Sequence, residues 1–179
     1  MKQRFQFLLI LPLCLISITS HAQTNTNLTS IKYGQHTKDE TVVTNFNVLL
    51  QQSVDPTVLT TYINKHIQQV TNETAYHMVK DLVQSLKNYK QALYQKLDQP
   101  LTQKALITQF PNHIEKSDLN SIENTTLRHL LTNDIYNKGF TLNLIHGQYV
   151  PVINEQELEK YYLFLTPAQI QSIRVSLAL

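Results

Sequence analysis

Residues 55–100, DPTVLTTYINKHIQQVTNETAYHMVKDLVQSLKNYKQALYQKLDQP, decide the fold class. Asp55-Pro56 places an N-cap residue before a proline in the first turn, a favourable helix start. Behind it Val58, Leu59, Tyr62, Ile63, His66, Ile67 and Val70 recur every three or four residues, which predicts an amphipathic helix. A second stripe of Ala75, Met78, Val79, Leu82, Val83, Leu86, Tyr89, Leu93 and Leu97 runs to Asp98, and Pro100 stops it. One helix covering both stripes would be roughly 60 Å long at 1.5 Å per residue, which is long for a domain of this size. Thr71-Asn72 offers a second N-cap, so a break at residues 71–74 is expected.

On the N-terminal side, Val42, Val43, Phe46, Leu49 and Leu50 share a helical face that begins near Thr41. On the C-terminal side a shorter helix is expected over residues 101–109, followed by a turn at Phe110-Pro111-Asn112. Ser117 or Asp118 then caps an expected helix carrying Leu119, Ile122, Leu127, Leu130, Leu131 and Ile135, with Gly139 as its stop. From there the period changes to two. Phe140, Leu142 and Leu144 alternate with Thr141 and Asn143, His146-Gly147 makes a turn, and Tyr149-Val150-Pro151-Val152-Ile153 resumes, the pattern of a β-hairpin. Pro151 has no N–H for a ladder bond, so its strand should lie at an edge or its pairing should be short. Asn154 and Glu157 resemble a capping box for a helix through Leu165, and Thr166-Pro167 opens a last helix with Ile170, Ile173, Val175 and Leu177. The expected fold is mainly α: a compact bundle of five to seven helices with one small C-terminal hairpin at about residues 140–153. No internal repeat suggests a solenoid.

The N-terminus reads as an address. Lys2 and Arg4 precede an apolar run over residues 5–18, and Ser20-His21-Ala22 sets small residues three and one before Gln23. This is the pattern of a secretory signal peptide covering residues 1–22. A retained anchor would need about 20 apolar residues, and Pro12 interrupts this shorter run. Lipidation at Cys14 would need a small residue before it, where Leu13 stands. Residues 23–40, rich in Thr, Asn, Gln, Ser and Lys, are expected to form a flexible leader, and residues 41–179 a single domain. Removal of the signal deletes Lys2, Arg4 and Cys14. The 15 Lys and Arg of the full chain then fall to 13, equal to the 13 Asp and Glu. A neutral chain without disulfides must rely on a packed core, and a periplasmic or extracellular bacterial protein is expected. Asn27, Asn72 and Asn124 match the glycosylation triplet, but a chain rich in Asn and Thr produces it by chance.

Neither the charge balance nor any basic cluster predicts nucleic-acid binding; Lys80, Lys87, Lys90 and Lys96 read as a solvated helix face. Three scattered glycines, Gly34, Gly139 and Gly147, exclude a phosphate-cradling loop. No serine has the glycine setting of a nucleophile elbow, and no His-Glu-x-x-His segment is present. No cofactor and no catalytic or metal-binding set is therefore expected. His66 and His129 are expected as partly buried structural histidines. Glu73 and His77 share a helix face without a second such pair. Glu155, Glu157 and Glu159 suit the positive end of a helix. Asp134 and Glu123 have no recognisable partner in the sequence.

Aromatic mass concentrates in the C-terminal third, at Phe140, Tyr149, Tyr161, Tyr162 and Phe164. An edge strand beside exposed aromatics can accept a protein partner. Phe140, Tyr149, Pro151, Tyr161 and Tyr162 are accordingly the expected partner-binding residues, against the competing expectation that they glue the hairpin to the bundle. Tyr161 and Tyr162 point about 100° apart on a helix, so one of them should be exposed. The functional expectation is a non-catalytic exported protein that binds another envelope or secreted protein as adaptor, inhibitor or assembly factor. The alternative is an envelope hydrolase acting on glycan through dispersed carboxylates and histidines.

Overall fold

In the computed structural model, which describes residues 37–52, 55–110 and 112–178, the two stripes of residues 55–100 form separate helices. Asp55 caps the first, α2 (Pro56–His66), by accepting the Thr57 N–H at 2.9 Å and the Thr57 hydroxyl at 2.7 Å. A short 3-10 turn (Ile67–Gln69) follows, and extended backbone at Thr71 opens α3 (Asn72–Leu97). The break is held from outside. Asp39, on α1 (Thr37–Gln52), is 3% exposed, and its Oδ2 accepts the Thr71 N–H at 3.0 Å, the Thr71 hydroxyl at 2.6 Å and the Thr74 hydroxyl at 2.9 Å. A carboxylate there also meets the positive end of α3.

Asp39 moves the expected N-terminal boundary. The leader was expected to reach residue 40 and the helix to begin at Thr41, yet α1 starts at Thr37. Apolar periodicity cannot register a buried polar residue whose partners lie more than thirty positions away. The expected signal segment, residues 1–22, and the leader up to residue 36 lie outside the described residues.

After α4 (Pro100–Gln109) comes a two-residue strand, β1 (His113–Ile114). The expected continuous helix from Ser117 or Asp118 to Gly139 is broken instead. A 3-10 turn (Lys116–Ser121) is closed by the Glu115 N–H donating to Asp118 at 2.8 Å. Asn124 then caps α5 (Thr125–His129) by accepting the Leu127 N–H at 3.0 Å, and a π turn (Leu130–Ile135) and a 3-10 turn (Tyr136–Lys138) complete the segment. The apolar spacing jumps five residues from Ile122 to Leu127, which a regular helix could not keep on one face. Breaking the helix lets Ile122, Leu127, Leu131 and Ile135 all be buried. Gly139 ends the run at φ +86°, the left-handed conformation that favours glycine.

The expected hairpin is present as β2 (Phe140–Ile145) and β3 (Gln148–Ile153). His146 at φ +51° and Gly147 at φ +79° make its two-residue turn, a primed turn whose twist matches the strands. The sheet order is β1-β2-β3, all antiparallel. β1 adds a third strand too short to leave a period in the sequence.

β3 is the edge, as Pro151 requires, and the register shows why proline is tolerated there. Phe140 pairs with Ile153 and Leu142 with Pro151, while the Asn154 N–H donates to Gly139 and the Leu144 N–H turns away to Asn112. Inward ladder bonds thus fall on the even-numbered residues of β3. Pro151 sits where its backbone nitrogen faces the open edge, so it costs no ladder bond and removes a donor from that edge. This works against the strand addition considered above.

α3 is the axis of the core. Its Ala75, Met78, Val79, Leu82, Val83, Leu86, Leu93 and Leu97 are buried, and it packs against α1, α2, β3 and the last helix, α7 (Pro167–Ala178). One face of the sheet, carrying Phe140, Leu142, Tyr149 and Pro151, is buried. Tyr89 meets Phe140 ring to ring at 6.1 Å, and the Tyr149 hydroxyl donates to the Leu106 carbonyl on α4 at 3.4 Å. α6 (Gln156–Tyr162) stops three residues short of the expected Leu165. Thr166 and Gln169 then cap α7 reciprocally, at 2.8 and 3.3 Å. The mainly α architecture with a small C-terminal sheet is the expected one. Among the described residues no helix is long and apolar enough to cross a membrane.

Candidate partner-binding groove

Four of the five expected partner-binding residues are core residues. Phe140 is 1% exposed, Tyr149 2% and Tyr161 2%, and Pro151 is buried with them. Phe140, Tyr149 and Pro151 share the covered face of the sheet because alternate residues of a strand point the same way, and Tyr161 is buried from α6. As surface anchors they are corrected to glue between sheet and bundle. Of the adjacent pair, Tyr161 turns inward and Tyr162 is half-buried. Burial pushes the Tyr161 hydroxyl up to about 12 and raises that of Tyr162 as well.

Tyr162 leads to the polar groove. Its hydroxyl donates to Glu155 Oε1 at 3.3 Å, and Arg174 Nε donates to the same oxygen at 2.7 Å. The guanidinium lies 5.5 Å from the centre of the Tyr162 ring, so an ion pair and a cation–π contact tie α6 to α7. Glu155 and Arg174 form one end of a groove of about 550 Å³ between α3, β3 and α7. Lys87, Lys90, Gln84, Asn88 and Gln91 supply its α3 wall, and Val152, Ile153, Tyr94 and Leu177 its apolar surface. Lys87 Nζ donates to the Ser176 carbonyl at 3.0 Å, near the end of α7 where helix carbonyls lack internal partners. Lys90 Nζ lies 5.9 Å from the centre of the Tyr94 ring.

Among the described residues three cations line this groove against one carboxylate, that of Glu155, which Arg174 already engages. Positive charge without matching negative charge favours an anionic guest, and the neighbouring amides offer donors and acceptors. Lys87 and Lys90 belong to the set read from sequence as an ordinary solvated face. The i, i+3 spacing that puts them on one wall was visible; Arg174, which faces them from another helix, could not be connected to them by spacing. Of the other two members, Lys96 pairs with Asp134 at 2.6 Å, which also gives Asp134 the partner its sequence did not reveal.

Four other titratable groups lie outside the groove. Asp55 receives Lys138 at 2.9 Å as well as Thr57. Burial pushes this carboxyl up, but the combined hydrogen bonds and charge of its partners outweigh that and leave it below its usual value. His77 is 3.9 Å from Glu73 on the shared face; desolvation, opposed by Glu73, lowers its pKa. His66 packs its ring on Tyr62 at 4.4 Å, and its buried Nδ1 has no partner, where a single hydrogen bond is the usual arrangement. Asp81 on α3 is half-buried and makes no hydrogen bond or ion pair among the described residues. Desolvation lifts it to about 6, with Lys80 opposing. It does not line this groove. Among the described residues no group of three or more His, Cys, Asp or Glu could hold a metal ion.

Comparison of the chain with known protein families, with curated proteins and with solved structures gives no match.

Proposed function

We propose that this is an exported, non-catalytic protein that binds an acidic segment of another envelope or secreted protein in the groove between α3, β3 and α7. The observation that carries the reading is the meeting of Lys87 and Lys90 from one helix with Arg174 from another around a polar groove. Lysine and arginine heads above an apolar floor suit a peptide whose carboxylates pair with them while its apolar side chains lie on Val152, Ile153 and Leu177. The N-terminal signal pattern supplies the compartment, and with it the class of partner.

Fluorescence anisotropy with a labelled Asp/Glu-rich peptide tests the site. Saturable binding that weakens as salt rises through the physiological range is expected, and a Lys87→Glu/Lys90→Glu double variant should abolish it while remaining folded by circular dichroism, with a lower melting temperature from the lost Lys87–Ser176 bond. Equal affinity for a Lys-rich peptide, or no binding of the acidic one, defeats the reading. Export is tested separately by N-terminal sequencing of the protein recovered from cell fractions. A start at Gln23 in the exported fraction is expected; an intact N-terminus confined to the cytoplasm would refute it.

A further inference from the structure

The carboxylate of Glu155 in the groove between α3, β3 and α7 is not explained by the helix it precedes. Glu155 stands at the N-cap position of α6 yet makes no side-chain cap hydrogen bond. Asn154 supplies the local acceptor, its Oδ1 taking the Gln156 N–H at 3.1 Å. Glu155 reaches across to α7 instead, where its Oε1 accepts Arg174 Nε at 2.7 Å as well as the Tyr162 hydroxyl at 3.3 Å. An acid that suits a helix start in the sequence is thus committed to the wall of the groove.

This ion pair is short but open. The side chain of Arg174 is 50% exposed and that of Glu155 43%. Pairs so exposed contribute little to stability, because water solvates either partner nearly as well once they separate. Lys138 makes the contrast: it is 15% exposed beside Asp55, and separating that pair would leave an ammonium partly desolvated. Parting Glu155 from Arg174 strands no buried charge. The Tyr162 ring, 5.5 Å from the guanidinium, still holds Arg174 against α6.

The two lysines of the groove have no acidic partner among the described residues. Lys87 donates to a neutral carbonyl, that of Ser176, and Lys90 lies beside the Tyr94 ring. They are the groups that draw an acidic guest in. Arg174 is different, because a guest carboxylate finds it already holding one. Glu155 is tethered to the same groove, so a lone carboxylate from solution competes with it poorly. A second carboxylate on a guest already anchored at the lysines competes on equal terms, since its effective concentration at Arg174 is also set by a tether.

We infer that Glu155 is a specificity-determining residue of the groove: it occupies Arg174 in the free protein, and a guest with at least two acids binds by placing one at Lys87 and Lys90 and exchanging the other for Glu155 on Arg174. The inference rests on the reading of the groove as a site for an acidic segment. Anisotropy with the labelled Asp/Glu-rich peptide is measured for wild type, Glu155→Gln, Arg174→Gln and the double variant, each checked for folding by circular dichroism. Glutamine at 155 keeps an acceptor for Arg174 and Tyr162 and removes only the charge. Glu155→Gln should tighten binding about three- to fivefold where Arg174 is present, the size of one exposed ion pair, and less than about twofold in the Arg174→Gln background. The Arg174 Nε–H signal in NMR should shift saturably as the peptide is added to wild type, a readout that needs no variant. Unchanged or weaker binding in folded Glu155→Gln, or an Nε–H signal that stays still while the peptide binds, overturns the exchange and leaves the groove reading standing. Equal tightening in both backgrounds also overturns it, because net charge alone would then account for the effect. No binding by any of the four proteins overturns the groove reading and the exchange with it.

Discussion

Asp81→Asn should stabilise the protein, and only above acidic pH. The side chain is half-buried on α3 with no ion pair or hydrogen bond among the described residues, and desolvation raises its carboxyl from 3.8 to about 6. Because the folded-state value lies above the unfolded one, the folded protein holds its proton more tightly. The stability contributed by the protonated acid is complete below about pH 4 and is lost as the pH rises through about 6. At about 1.4 kcal/mol per unit, a shift of about two units corresponds to about 3 kcal/mol. The group is only half-buried, so solvent screening reduces this to on the order of 1–2 kcal/mol. At about 2–4 °C per kcal/mol for a domain of this size, the variant should melt about 2–8 °C higher than wild type at pH 7.5. Asparagine preserves the shape and stays neutral throughout. Thermal denaturation by circular dichroism should be run on both proteins from pH 4 to pH 8. Other groups titrate in this range and cancel in the difference. A difference in Tm that is the same at pH 4 and pH 7.5, or a variant that is less stable at pH 7.5, refutes the burial argument.

Four further outcomes are expected. Tyr149→Ser should cost about 3–5 kcal/mol in a urea melt, because a buried aromatic and its bond to Leu106 are both lost; an unchanged midpoint would mean Tyr149 is not core. Asp39→Ala should cost about 2–4 kcal/mol, since three donors from Thr71 and Thr74 lose their acceptor, and a chain started at Thr41 should show the same loss; full stability in both would remove Asp39 from the fold. Gly139→Ala should cost about 1 kcal/mol through its left-handed backbone alone, because the nearest atom to an added Cβ is Glu157 Cβ at 4.0 Å; a much larger cost would point to crowding. The depressed carboxyl of Asp55 gives stability that is present above its unfolded value and lost as pH falls. Lys138→Met should therefore flatten the acid limb of the stability profile, and an unaltered limb would show that the Asp55–Lys138 pair is energetically silent.

Local signals carried the sequence reading where a single element was sufficient. Asp55-Pro56 begins α2, Thr71 begins α3, Gly139 ends a helical run and His146-Gly147 turns the hairpin, because each acts on backbone groups within a few residues. The two stripes of residues 55–100 were legible for the same reason, since one face of a helix must be apolar wherever it packs. Asn124 shows the limit. In the sequence it stands out only as part of a glycosylation triplet, while its role as the cap that splits the expected helix over residues 118–138 depends on where Ile122 and Leu127 must both be buried.

What lay beyond the sequence was every feature made by two distant segments. Residue type identified Phe140, Tyr149 and Tyr161 as apolar mass, but burial is a property of the surface opposite, and only the packing of α3 on the sheet decided that they are core. Asp39 looked like leader until Thr71 and Thr74 closed on its carboxylate. Lys87 and Lys90 looked like solvated lysines until α7 brought Arg174 across from them. Periodicity thus determined which elements form and which side of each is apolar, because those follow from backbone geometry within a few turns. Which faces meet, and so which charges and hydroxyls are gathered into a groove, follows from long-range packing, and only the tertiary structure decided it.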